Sequence, residues 1–321
     1  MKKKVAFMAP QTKWWPYFIY KDLVNWLKEK YWKELDVYLF NSKSDWLKLH
    51  FLKFDVIFSV IPFLFKPLWA KKFIFNLHGN FEIEKKKPSL WNKLLYLARW
   101  NLKFADKIML TSYFLADKLD FKEKYQDKII IVPNFINPKD YNFWEKIFDE
   151  SKYKILTITS FKFYDKGKWI LNLWKVISTL WQKTKKPIIW TIVWNDNSEN
   201  FKKIKKEFDK IIFPDNVKIV WKWWINKEDI KKELKNNDYF LYWTCLDNFP
   251  TVIIEALASK MKVLVNNFES FKYFLPKDII CNSENEMVEK MLRDDIFINS
   301  NLEFDKGTVL NKIYNSLKEN V

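Results

Sequence analysis

Short apolar runs recur along this chain and alternate with longer stretches whose apolar positions fall at helical spacing. The runs read as strands near Lys4 to Ala9, Leu35 to Phe40, Asp55 to Val60, Lys72 to Leu77, Lys107 to Thr111 and Lys128 to Val132, with helices between several of them. Strands apolar on both faces and separated by helices predict a parallel sheet covered on both sides. Pro133-Asn134 closes this series, and Asn137-Pro138-Lys139-Asp140 reads as a linker. A second series follows at Lys154 to Thr159, Ile188 to Val193, Val217 to Val220, Tyr239 to Tyr242, Lys262 to Val265 and Asp278 to Ile280. The pattern predicts an α/β protein of two Rossmann-like domains, residues 1–140 and 141–321, with the last helix able to pack back on the first. Their parallel sheets are expected to face an interdomain cleft, with ligands outside the carboxyl ends of the strands.

Composition alters this picture at one point. The chain holds 18 tryptophans and 3 glycines, where ordinary usage predicts about 22 glycines. Several tryptophans stand at strand-to-loop junctions: Trp14-Trp15 before Pro16, Trp32 before Lys33-Glu34-Leu35, Trp194 after Ile188 to Val193, and Trp221 after Val217 to Val220. Such junctions often need φ > 0 or close backbone approach, which glycine permits and an indole resists. Arginine occurs only at Arg99 and Arg293 among the 56 basic residues, and Ile, Asn and Phe are abundant. That bias reads as an AT-rich gene, in which tryptophan, with the single standard codon UGG, should be scarce. The combination points to UGA codons, read as glycine in some bacterial lineages, translated here as tryptophan. The competing reading is a Trp-rich chain that uses indoles for core packing, sugar stacking or membrane contact. Trp100 and Trp144 are candidates for authentic indoles.

Charge is uneven. Of the formal net +17, residues 1–140 hold the larger part, with 26 Lys/Arg against 14 Asp/Glu, while the remainder holds 30 against 25. Lys85-Lys86-Lys87 beside Phe81 suits anionic headgroups or an anionic acceptor. The apolar stretch Val5 to Pro10 is too short for a secretion signal, and no run approaches the ~18 apolar residues of a membrane span. Cys245 and Cys281 have neither metal nor redox spacing. These features predict a cytoplasmic protein, peripheral on the inner face of the plasma membrane, with structural cysteines. Zinc spacing, an RNA-binding aromatic pattern and arginine-rich segments are all missing from the sequence, so nucleic acid is not an expected partner.

The most specific stretch is Asp247-Asn248-Phe249-Pro250-Thr251-Val252-Ile253-Ile254-Glu255-Ala256-Leu257-Ala258. Asp or Asn ahead of Pro at a first helical position is a helix-start signal. It places Asp247 at the helix mouth and Glu255 about two turns in. With the free amides of the helix N-terminus, the two acids suit a ligand that has both hydroxyls and phosphate. Without further context the same stretch is an ordinary capped amphipathic helix.

Here the chain resembles the retaining glycosyltransferases of family 4, which have the GT-B fold. Their second domain carries two acids eight residues apart, an Ala-rich helix and a strand, matched by Asp247, Glu255, Ala256-Leu257-Ala258 and Lys262-Val263-Leu264-Val265. The resemblance assigns Asp247 to donor-sugar hydroxyls and Glu255 to the nucleotide ribose, with Asn248, Phe249 and Pro250 lining the same donor site. Aspartate replaces the more usual glutamate at the first position, and Lys260 and Lys262 stand where Gly and Pro are common. Ser160 to Gly167 resembles the segment that binds the donor diphosphate, with Lys166 in the lysine position. Lys162 is the nearest substitute for an arginine usual upstream, and offers a point charge without a bidentate fork.

In the first domain, Pro10 to Pro16 resembles the family's Gly-Gly loop, so that Trp14 and Trp15 fall against the donor phosphates and reacting sugar. Trp32, Trp194 and Trp221 also occupy positions where glycine is common in the family. His78, in Asn76-Leu77-His78-Gly79, matches a first-domain histidine near the donor, while His50 reads as surface or core. Pro133-Asn134-Phe135 resembles an interdomain Pro-Asn-Gly element.

The resemblance implies a metal-independent hexosyltransferase that uses a nucleotide-diphosphate sugar as donor substrate and no cofactor. The acceptor is a glycan or a lipid-linked molecule of envelope or surface polysaccharide synthesis. The expected catalytic residues are His78, Lys166 and Asp247. Two other readings stay open: a sugar-nucleotide epimerase or phosphorylase of the same fold, and a non-catalytic carbohydrate- or membrane-binding protein.

Overall fold

The structure, a computed structural model, describes residues 2–9, 15–49, 51–77, 90–118, 122–141, 146–161, 164–194, 199–223, 226–294, 296 and 304–319. The chain divides into two compact units, Met1–Pro133 with Gly307–Val321, and Asn134–Lys306. The first contains β1 (Lys3–Met8), β2 (Leu35–Phe40), β3 (Phe54–Ser59), β4 (Ala70–Leu77), β5 (Lys107–Leu110) and β6 (Ile129–Ile131). They form one parallel sheet in the order β2-β1-β3-β4-β5-β6. The C-terminal helix Lys306–Glu319 joins this unit, where the Tyr314 hydroxyl donates to Glu34 at 2.6 Å and its ring stacks on Tyr31.

The second unit contains β7 (Tyr153–Thr159), β8 (Ile188–Trp194), β9 (Val217–Trp223), β10 (Tyr239–Tyr242), β11 (Lys262–Asn266) and β12 (Ile280–Cys281). These are parallel in the order β12-β11-β10-β7-β8-β9. Successive strand side chains feed opposite layers, which is why the runs are apolar without alternation. Ile155, Leu241 and Leu264 enter one core with Trp190 and the helix Ile170–Thr184. Leu156, Phe240 and Val263 enter the other with the helix Thr251–Ala258. Trp190 is fully buried, and its indole N–H donates to the Thr157 hydroxyl at 3.0 Å. That hydroxyl in turn donates to the Leu241 carbonyl at 3.1 Å, so the core holds no orphaned polar group there.

Three expectations change. The last strand lies at 280–281, because Pro276 starts a 3₁₀ turn over Lys277–Ile279. Pro138–Asp140, expected as a linker, is also a 3₁₀ turn. Trp32, Trp194 and Trp221 do not need glycine conformations: the non-glycine residues with positive φ among the described residues are Lys185, Lys260 and Asp294. Trp194 and Trp221 instead extend β8 and β9, paired with Thr159 and Ile192 respectively. Their rings join an aromatic cluster in which Trp194 stacks on Phe201 at 4.8 Å. An extended strand face accommodates both rings, so glycine at either position removes packing, and at Trp194 it also removes an indole N–H that is buried with no hydrogen-bond partner among the described residues.

The tryptophans therefore divide by consequence. Trp190→Gly is expected to cost at least about 3–5 kcal/mol of stability, whereas Trp32→Gly, at an exposed turn, should stay within about 0.5–1 kcal/mol of the parent. Denaturant titration of the two variants reads the difference. The codons decide the miscoding question itself: UGA at Trp14, Trp15, Trp32, Trp194 and Trp221 is the expected result, and UGG at all five would end the idea.

Lys260 marks a real glycine niche. The helix Thr251–Ala258 ends with the Met261 N–H on the Ala256 carbonyl and the Lys260 N–H on the Leu257 carbonyl, a Schellman pair with Lys260 at φ 56°. A side chain in that region costs about 1–2 kcal/mol. Glycine's larger unfolded-state entropy offsets part of the relief. Lys260→Gly should raise stability by about 1 kcal/mol, visible as a higher denaturant midpoint at unchanged slope.

Candidate functional site

Strand order in the second unit reverses between β7 and β10, and loops leaving their carboxyl ends flank the point where open α/β sheets bind ligands. The loop after β10 leads through Asp247 to the helix Thr251–Ala258. It is clamped at its root, where the Thr244 N–H donates to Asn266 Oδ1 and Asn266 Nδ2 donates to the Thr244 carbonyl, both at 2.9 Å. The Ser270 hydroxyl donates to the Asp247 carbonyl at 2.7 Å. The Asp247 carboxylate accepts a hydrogen bond from the Tyr242 hydroxyl at the end of β10. Burial, reinforced by the Asp247 charge, pushes the Tyr242 hydroxyl well above its ordinary value, so it stays a donor.

Phe249 is buried between Phe274 and Phe304, and its carbonyl accepts from Asn134 Nδ2 at 2.9 Å. Pro250 is the N-cap residue, not the first helical residue as expected, with φ −72° and ψ 117°. Proline carries no side-chain acceptor, so the first helix amides have no side-chain cap. Asn248 Oδ1 is buried and has no hydrogen-bond partner among the described residues. A buried acceptor left unpaired costs about 1–3 kcal/mol, which a ligand or water donor removes. Uncapped amides and an unsatisfied acceptor thus meet beside Asp247.

Glu255 lies one turn into the helix, four residues after Thr251. Its Oε1 accepts from the buried Tyr141 hydroxyl at 2.7 Å. Burial raises the Glu255 carboxyl above the usual carboxylate range, opposed by the Tyr141 hydrogen bond and the charges of Lys227 and Lys231. Those two ammonium groups also lie 5.6 and 6.0 Å from the Tyr141 ring centroid. The result is an acid held in place and flanked by positive charge.

Across the reversal point, β7 leads to the short helix Tyr164–Gly167, which contains Lys166. Gly167 allows its close approach: a Cβ there would stand 2.3 Å from the Phe161 ring and 2.8 Å from Ile204. The next turn is tied to the other loop, because the Trp169 indole N–H donates to Cys245 Sγ at 2.9 Å. Cys281 is buried at β12, where burial pushes its thiol up to about 12. Lys162 and the side chain of Lys166 lie outside the described residues.

In the first unit, Trp14, His50, His78 and Lys85-Lys86-Lys87 lie outside the described residues, and Trp15 opens the helix Trp15–Tyr31 with its side chain likewise outside them. The flanking framework is visible. Asn76, at the end of β4, donates to the buried Tyr20 hydroxyl of that helix at 3.1 Å. The segments holding Trp14 and His78 therefore both leave the carboxyl edge of one parallel sheet, after β1 and β4.

Sequence reasoning singled out Asp247, Glu255 and the segment ending at Gly167, but not the residues that bond to or pack against them. Tyr141, Tyr242, Asn266, Ser270 and the Trp169–Cys245 link carry no local motif. Asn134, singled out only as part of an interdomain element, proves to hold the backbone of Phe249.

Residues 139–290 match the family model described as glycosyl transferases group 1. No curated protein matches the chain in sequence. Among solved structures, the apo form of the lipopolysaccharide outer core galactosyltransferase WaaB is similar with a TM-score of 0.66 and 11% identity, over 99% of this chain and 100% of its own. HepE from Anabaena in complex with UDP-glucose is similar with a TM-score of 0.67 and 13% identity, over 98% and 99%. The UDP-GlcNAc 2-epimerase from Methanocaldococcus jannaschii follows with 0.60 and 14%, over 98% and 99%. At such identities the structures speak to fold, and the family match adds the segment that holds both acids. The chain has the GT-B fold, and its residues 139–290 are similar to the glycosyl transferases group 1 family.

Proposed function

We propose that this protein is a retaining glycosyltransferase that moves a hexose from a nucleotide-diphosphate sugar to a glycan or lipid-linked acceptor in envelope or surface polysaccharide synthesis. The observation that carries the reading is the pairing of Asp247 and Glu255 about an uncapped helix N-terminus, beside the strand-order reversal and inside the segment that matches the group 1 family. Glu255 accepts hydrogen bonds from the ribose, and Asp247 from hydroxyls of the donor sugar. Lys162 and Lys166, with the helix amides, take up the negative charge that grows on the diphosphate as the sugar C1–O bond breaks. The bond's electron pair leaves with the phosphate oxygen. The acceptor hydroxyl attacks C1 from the same face and passes its proton to that oxygen. The resemblance gives His78, Trp14 and Trp15 a role near the donor. No step uses a metal ion or cofactor.

A second reading rests on the similarity to a UDP-GlcNAc 2-epimerase. One assay separates the two. The purified protein is incubated with a panel of nucleotide-diphosphate sugars, with and without a cell-envelope glycolipid fraction. Nucleoside diphosphate released only with acceptor, and a product whose anomeric configuration matches the donor, are the expected results. An epimeric sugar nucleotide formed without acceptor would replace transferase by epimerase.

A further inference from the structure

We propose that the N-terminal edge of the first sheet is a docking surface for an anionic lipid bilayer. The connection from β3 to β4 reads Ile61-Pro62-Phe63-Leu64-Phe65-Lys66-Pro67-Leu68-Trp69, a composition suited to a core. Yet Leu64, Phe65, Leu68 and Trp69 are exposed, Leu68 at 65%. The connection is a fixed feature. Phe63 is fully buried, and the Asn101 side chain bonds both its N–H and its carbonyl, at 2.8 and 2.7 Å.

Neighbouring elements extend the apolar surface. Phe54 pairs with Ala70, which brings the residues ahead of β3 beside those ahead of β4. Phe51 and Leu52 are exposed there, and the Lys53 ammonium lies 5.5 Å from the Trp69 ring centroid. On the other side, exposed Trp100 of the helix Leu90–Phe104 donates its indole N–H to the Leu64 carbonyl at 3.0 Å. Contiguous exposed apolar area of this kind marks an interaction surface.

Charge selects the occupant. Two carboxylates beside the connection are taken, Asp55 by Lys71 and the Lys4 N–H, and Asp106 by Lys66 and the Phe73 N–H. Lys53 and Lys103 lie over the Trp69 and Trp100 rings and make no ion pair among the described residues. The surface is therefore apolar with a positive rim. A second copy would set like charge against like, whereas an anionic bilayer takes leucine and aromatic side chains below its headgroups and lysines at its phosphates. The surface is at the opposite ends of the strands from the segments after β1 and β4, so it is separable from donor binding. It also goes beyond the transferase reading, since it holds whichever reaction the protein performs.

The test is flotation of the full chain with vesicles of equal parts phosphatidylglycerol and phosphatidylcholine, and with phosphatidylcholine alone. The parent should bind the mixed vesicles and not the neutral ones. Leu64→Ser, Phe65→Ser and Leu68→Ser combined should lower partitioning at least ~tenfold, given the apolar area removed. Lys53→Glu with Lys103→Glu should lower it about as far, since each lysine near such a surface is worth about fivefold. Both variants should keep the parent's circular dichroism. Three results would overturn the proposal: no binding of the parent to mixed vesicles, equal binding to neutral ones, or unchanged binding of the triple variant. A lipid-free dimer that the triple variant splits would also overturn it and give the surface to a second copy.

Discussion

Replacing Lys166 with alanine is expected to lower the turnover of sugar transfer about a hundredfold or more, with a much smaller effect on nucleotide affinity. The reason is where charge appears. The diphosphate gains negative charge as it leaves, so a lysine beside it is worth more in the transition state than in the bound donor. The backbone that carries Lys166 is well placed for this, because Gly167 lets its helix lie against Phe161 and Trp169 ties the following turn to Cys245. Lys162→Ala tests the substitute for the missing arginine, and the double variant should be the slowest of the three. Saturation kinetics with the donor separate kcat from KM. Full kcat in the double variant would move the diphosphate to another part of the protein.

Glu255 yields the second large effect, and it divides binding from stability. Glu255→Ala should weaken nucleotide binding by about 1.5–3 kcal/mol, roughly ten- to a hundredfold, through loss of a charged acceptor for the ribose. Glu255→Gln should also bind nucleotide poorly but fold better. The parent carboxyl has a folded-state pKa raised by burial, so its favourable contribution is complete below the ordinary carboxylate value and is lost as pH rises through the raised one. At neutral pH the charge opposes folding. Glutamine removes that charge and keeps an acceptor for the Tyr141 hydroxyl, so its denaturation midpoint should exceed the parent's at neutral pH and converge with it in acid. Calorimetric titration with nucleoside diphosphates measures the other half. Unchanged affinity in both variants would take Glu255 out of the donor site.

Both acids were legible because sequence neighbours carry the signal: a loop, a proline and an apolar helix within twelve positions. The strands were legible for a similar reason, since runs such as Tyr239–Tyr242, and Val56 to Phe58 of β3, are buried on both faces. Boundaries slipped where two local preferences compete, as at Asp278, which the 3₁₀ turn after Pro276 removes from its strand. The conformation of the tryptophans was not legible, for a physical reason. A strand end is a common place for glycine, but Trp194 and Trp221 continue their ladders and pack their rings, while the left-handed positions fall at helix ends on charged residues. The partner of Glu255, and the tie between the two loops, were hidden by distance along the chain. Tyr141 and Glu255 are 114 residues apart, and Trp169 and Cys245 are 76 apart. Only the folded sheet order brings them together.

The charged residues at helix ends bear on how this protein can evolve. Asp294 is held in its left-handed position by use, since its carboxylate receives the Tyr239 hydroxyl and the Lys262 ammonium. Lys260 has no such tie, and Lys185 has only its ammonium over the Trp181 ring, so a change to glycine at either relaxes the backbone without touching the site. Stability gained there is a reserve against which new substitutions around Asp247 and Glu255 can accumulate, because most changes that alter a binding site also weaken the fold. A lineage free to place glycine at these two helix ends would have wider access to new binding specificities than one confined to lysine.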